Sequence, residues 1–227
     1  MTEQEWLECK DPQKILEFLK GRASDRKLRL FLTAWGHRTL VDSPYEDLTD
    51  VVPAVELFVE KAISPADFAP AREEIGWGTS EMCESLNLRA EVLSVAVQEE
   101  PVSAEAASQA AARALEGWRM NVPDLDIHKE NLALCNLLRD IFGNPLRPIA
   151  ISPSILAWRD STIPRLALAV YDKRQLPGGH LDPALLAVLA DALEEAGCRD
   201  ADILGHLRSP GPHVRGCWPV DLLLGRK

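Results

Sequence analysis

The side chains best suited to chemistry are Cys198, His206, His213 and Cys217, spaced C-x7-H-x6-H-x3-C around a Ser209-Pro210-Gly211-Pro212 turn. Two thiolates and two imidazoles form a donor set that zinc accepts in a tetrahedral site. His213 and Cys217, four residues apart, would share one face of a helix. The gap between Cys198 and His206 is wider than the tight pairs of known zinc modules. Each residue also has a plain structural reading. Cys217 falls beside Trp218 on an apolar face, where a free cysteine is a small buried hydrophobe. His206 follows Asp202 by four residues, a surface pair worth about a few tenths of a kcal/mol.

The same segment suggests an anion site. A helix starting at His213 would offer free backbone N–H groups, with Arg215 and the upstream Arg208 adding charge. The competing reading is a proline-punctuated turn that orders the last helix, with Arg215 paired to a neighbouring acid. Trp77 is a third candidate. It stands between Gly76 and Gly78 in a stretch, 75–79, that reads as a loop, and an exposed tryptophan there would anchor a partner. Otherwise it fills a gap between helices. Nothing marks an enzyme. No G-x-S-x-G, P-loop, H-E-x-x-H or dinucleotide fingerprint occurs, and Cys9, Cys83 and Cys135 lack a nearby histidine with an orienting partner.

The elements that must position these groups read as helices. Asp11-Pro12 is an N-cap followed by proline at the first helical position, with Ile15, Phe18 and Leu19 on one face and Gly21 as the stop. Ser24 opens a second helix, in which Leu28, Phe31, Leu32 and Trp35 follow the i, i+3, i+4, i+7 pattern. Val51 to Val59 make a third, and Ser64-Pro65 opens a short fourth. A long helix is expected from Ser80 to Val97, an Ala-rich one from Ser103 to Met120, and another ending at Gly143 with Leu134, Leu137, Leu138 and Ile141 aligned. The segment 145–153 reads as irregular or short extended structure. Helices near 162–175, 183–196 and 200–208 follow, and a last one from about 213 to 224 must bend at Pro219 or start after it. This pattern predicts an all-α multi-helix bundle of roughly nine or ten helices without βαβ alternation.

Charge divides the chain unevenly. Its 227 residues carry a net −10. Residues 1–143, an acidic N-terminal helical region, hold 26 acidic and 15 basic residues, whereas 144–227, a C-terminal helical region, hold 9 and 10; the two read either as separate regions or as one continuous domain. No dense basic patch suits nucleic acid, and no stretch reaches the roughly 20 apolar residues of a membrane span. The acidic Met1–Trp6 opening is unlike a secretory signal. Five irregularly spaced cysteines suggest reduced thiols, so a cytoplasmic location is expected.

Two strings, Leu138-Arg139-Asp140-Ile141-Phe142-Gly143-Asn144-Pro145 and Pro210-Gly211-Pro212-His213-Val214-Arg215-Gly216-Cys217-Trp218, resemble an uncharacterised paralogous family of planctomycete bacteria. The stretch from Ala190 to Cys198, the Trp6-Leu7 opening and the Ala23–Arg29 segment carry the same resemblance, which fades between about 42 and 125. Members of that family tend to have several cysteines after the segment matching Arg29. This chain has Leu32, Thr33, Ala34 and Trp35 there, so no thiol or metal role is carried over. The resemblance implies a bacterial lineage and no mechanism. Together these readings predict a non-enzymatic module that binds another protein, without cofactor. The alternative is a zinc-binding protein using the C-terminal Cys/His set, and a small enzyme with a cleft between the two helical regions ranks third.

Overall fold

The computed structural model describes residues 1–40, 51–79, 92–98, 100–121, 126–176 and 178–227, without the side chains of 39, 40, 77–79, 118, 120 and 121. Among them the fold is all-α. Twelve helices run in order: α1 (Glu3–Glu8), α2 (Pro12–Leu19), α3 (Asp25–Leu40), α4 (Val51–Val59), α5 (Pro65–Thr79), α6 (Ala104–Asn121), α7 (Ile127–Phe142), α8 (Pro153–Leu156), α9 (Trp158–Asp172), α10 (Pro183–Glu195), α11 (Ala201–Leu207) and α12 (Trp218–Leu224). Residues 92–96 are also helical, within the long helix expected from Ser80, most of which lies outside the described residues. Only isolated antiparallel bridges, Gln175 to His180 and His180 to Val214, stand in for strands.

Local chemistry explains the boundaries. Asp11, Asp126, Asp182 and Asp200 each cap a helix by accepting hydrogen bonds from backbone N–H groups in its first turn, which satisfies donors that have no intrahelical partner. Pro12 and Pro183 sit at first-turn positions that lose nothing by lacking an N–H. The helix count exceeds nine or ten because short pieces such as α1 and α8 form as well. One boundary corrects the sequence expectation: residues 75–79 are the end of α5, not a loop. Phe68 and Ile75, seven apart, are both buried, and a glycine costs a helix only about 1 kcal/mol relative to alanine. Burial of that face outweighs the two glycines. The last helix begins at Trp218, with Pro219 in its first turn, rather than at His213.

Buried apolar side chains fall into two clusters. The first joins residues from Trp6 to Ile141 with Val214, and the second runs from Ile163 to Leu223. In the first, α2 lies against α6 and α7, and α3 against α4 and α7. Ala107, Ala110, Ala111 and Ala114 of α6 are all buried, the close approach that small side chains permit. In the second, α10 packs on α9 and α11, while α12 packs on α9 and reaches α7. The seam between the clusters holds the candidate site.

Candidate metal centre

Asp140 arises from α7, His206 from the last turn of α11, His213 from the connection that follows, and Cys217 from the cap position of α12. Their donor atoms all lie within 4.8 Å of one another. Asp140 Oδ1 is 2.9 Å from His206 Nε2 and 2.7 Å from His213 Nδ1. Cys217 Sγ is 3.3 Å from that same His206 nitrogen and 3.9 Å from that same His213 nitrogen. One nitrogen of each ring thus faces both the carboxylate and the thiol. A tetrahedral ion with bonds of about 2.0–2.1 Å to N and O and about 2.3 Å to S sets its donors about 3.3–3.6 Å apart. The observed separations bracket that range, so small adjustments, lengthening the 2.7 and 2.9 Å separations and shortening the 3.9 Å one, would seat an ion.

The surroundings hold these groups firmly. Asp140 is 2% exposed, and its second oxygen accepts from the Val214 amide at 2.9 Å. His213 Nε2 lies 3.1 Å from the Ser209 carbonyl oxygen, and the Leu181 amide donates to the His213 carbonyl. Gly216, at a φ of 95°, directs its N–H to the Tyr171 hydroxyl. His206 is the most accessible of the four, its side chain 20% exposed. It borders a cleft of about 920 Å³ that Gly143, Asn144 and Trp218 also line.

Burial and charge pull the titrating groups apart. Burial pushes the Asp140 carboxyl up, but hydrogen bonds and charge from His206 and His213 outweigh it, and the group lies below its ordinary value. Burial pulls His213 down, yet the hydrogen bond and charge of Asp140 raise it above its ordinary value. Burial, then the negative charge of Asp140, drives the Cys217 thiol well above its ordinary value. Such a thiol is the reverse of an activated nucleophile. A Cys–His–Asp relay also needs the two ring nitrogens to face different partners. Here a single nitrogen of each ring faces both the thiol and the carboxylate, which is the arrangement of ligands around a common centre.

Three of the four sequence-proposed ligands come together: His206, His213 and Cys217. Cys198 does not join them. It is packed in the second apolar cluster, its amide bonded to the Leu193 carbonyl, and Asp140 takes the remaining place. Nor is His206 the surface partner of Asp202, which pairs with Arg147 at 3.1 Å. The anion candidates separate as well. Arg208 is paired with Asp191 at 2.7 Å and with Glu194, and His213 faces Asp140. Arg215 is buried against Tyr171 and lies 3.5 Å from Glu56, a carboxylate that also meets Arg174 at 2.6 Å and His37 at 3.1 Å. With no helix starting at His213 and each group turned to a different acid, no shared anion cradle forms. Trp77 lies within α5, and its side chain is outside the described residues, as is Cys83.

Sequence reasoning passed over Asp140, which lies 66 residues from His206 and 73 from His213. The signal it did give is an acid set between the apolar stripe residues Leu137, Leu138 and Ile141. No family model, curated protein or solved structure matches the chain.

Proposed function

We propose that the protein binds a divalent transition metal, zinc first among them, through Asp140, His206, His213 and Cys217. The supporting observation is the convergence of four donor atoms, from the end of α7, the end of α11, the connection and the start of α12, with one nitrogen of each histidine turned toward both the carboxylate and the thiol. One thiolate, two imidazoles and one carboxylate are the mixed soft and borderline donors that zinc takes in tetrahedral geometry. With four protein ligands, three of them less than 5% exposed, the site has the closed form of a structural centre. The ion would fasten α7 to the connection and to α12 across the seam between the two apolar clusters.

Elemental analysis of the purified chain tests this directly. About one zinc per chain is expected, lost in Cys217→Ala and in Asp140→Asn. A chain that carries no metal and whose melting temperature ignores added zinc would refute it. The protein-partner reading rests on the acidic N-terminal region and on Trp77, and no observation in the fold adds to it. An absence of membrane-spanning helices among the described residues accords with it without favouring it.

A further inference from the structure

His206 is held by partners that make opposite demands on its ring hydrogen. Its Nδ1 lies 3.2 Å from Trp218 Nε1, and an indole nitrogen can only donate. Nδ1 is therefore the acceptor and bears no hydrogen. A neutral imidazole has one, so it sits on Nε2, directed at Asp140 Oδ1 and Cys217 Sγ. The nitrogen that must offer a lone pair to a metal is occupied. His213 differs. Its Nε2 faces the Ser209 carbonyl oxygen at 3.1 Å, the kind of partner that holds the far N–H of a ligating histidine, while its Nδ1 donates to Asp140 Oδ1 at 2.7 Å and would give up that hydrogen to a metal with no change of partner at Nε2.

We propose that Trp218 sets the metal affinity of this site. Its hydrogen bond to His206 and metal coordination by His206 Nε2 are mutually exclusive, so loading the metal turns the indole N–H away from the ring. The inference rests on the metal-site reading above. Coordination through Nε2 moves the imidazole hydrogen to Nδ1 by exchange with solvent, and two N–H donors would then oppose each other across the Trp218–His206 contact. One neutral hydrogen bond changes an equilibrium constant by roughly tenfold at most, whereas a structural zinc site binds with an affinity many orders of magnitude beyond that. The metal wins and the hydrogen bond yields.

Trp218 has somewhere to go. It is half-buried, edge-on to His206 with ring centroids 5.4 Å apart, and it forms part of the cleft wall. It also lies directly on the backbone at Gly143, where a Cβ would come within 2.9 Å of Trp218 Cγ. The cleft is the open space beside the indole, and a metal-loaded site presents an N–H donor there that the metal-free site keeps to itself.

Indole ¹⁵N–¹H spectra of the full chain during a zinc titration test the proposal. Trp218→Phe, which keeps the aromatic packing and deletes the donor, identifies the resonance. Should that variant not fold, His206→Phe identifies it instead by removing the acceptor and shifting the signal without zinc. One equivalent of zinc is expected to move the Trp218 resonance upfield while those of the buried Trp6 and Trp35 stay in place. Competition with a chromophoric chelator is expected to show Trp218→Phe binding zinc about tenfold more tightly. Stoichiometric zinc with an unmoved Trp218 signal, or with equal affinity in Trp218→Phe, overturns the role of Trp218 and leaves the metal site standing. No zinc binding at all overturns both.

Discussion

Asp140 has the largest consequences of any single residue here. It accepts from or faces His206, His213 and the Val214 amide together. Removing one member of a buried charged network leaves the others unpaired and costs about 3–5 kcal/mol, a large share of the roughly 5–15 kcal/mol that holds a typical protein folded. Asp140→Ala is expected to lower the urea midpoint accordingly, even in chelator-treated protein. The two buried cysteines of this region should behave differently. Cys198→Ser removes a thiol that only packs and should leave zinc stoichiometry unchanged, whereas Cys217→Ser should lower zinc affinity sharply. Because Cys217 is protonated well above neutral pH, zinc binding must displace its proton. Adding zinc in weakly buffered solution near pH 7 should release at least one proton per ion, read with a pH indicator.

At the scale of elements, α7 and the connection between α11 and α12 make the site. α7 is fixed at its start by Asp126, which accepts from the His128 and Lys129 amides, and at its end by Gly143, whose φ of 64° favours glycine. The same glycine leaves the space that Trp218 fills. Gly143→Ala forces an alanine into a backbone conformation, φ 64° and ψ −145°, that is essentially reserved for glycine, at about 1–3 kcal/mol, and pushes a Cβ into the indole. Thermal unfolding should register that loss, and the near-ultraviolet dichroism of the folded protein should change as Trp218 is displaced. The periodicity of α7 and its end at Gly143 were plain in the sequence, since both are local chemistry; its start at the Asp126 cap was not marked there. The start of α12 was not. Pro219 allowed either a bend or a late start, and the pull of Cys217, Val220 and Leu223 into the second cluster decided for a start at Trp218.

Across the whole molecule, the two apolar clusters are joined by buried ion pairs as well as by the Asp140, His206, His213 and Cys217 group. Arg26 of α3 meets Asp221 of α12 at 2.7 Å and Glu60 at 2.6 Å, and the Tyr171 hydroxyl donates to Asp221 at 2.8 Å. Asp221→Ala would leave Arg26 with Glu60 alone and the Tyr171 hydroxyl without its carboxylate acceptor, and should destabilise the fold by about 1–3 kcal/mol in urea unfolding. A metal that binds only the folded chain should add to these ties. At a hundredfold excess over its dissociation constant, zinc would contribute about 2.7 kcal/mol, a rise of roughly 5–10 °C in melting temperature for a chain of this size, abolished by chelation.

The amino-acid order alone determined that this chain is helical and where most of its helices begin and end, because caps and apolar periodicity are properties of neighbouring residues; it offered His206, His213 and Cys217, with Cys198, as one candidate donor set beside a plain structural reading. It did not determine the fate of Gly76 and Gly78, where packing of Phe68 and Ile75 outweighed two weak helix formers. Nor did it choose Asp140 over Cys198. That choice required α7 to lie against the C-terminal segment, bringing together residues more than sixty apart, and only the packing of one apolar cluster on the other brings them that close.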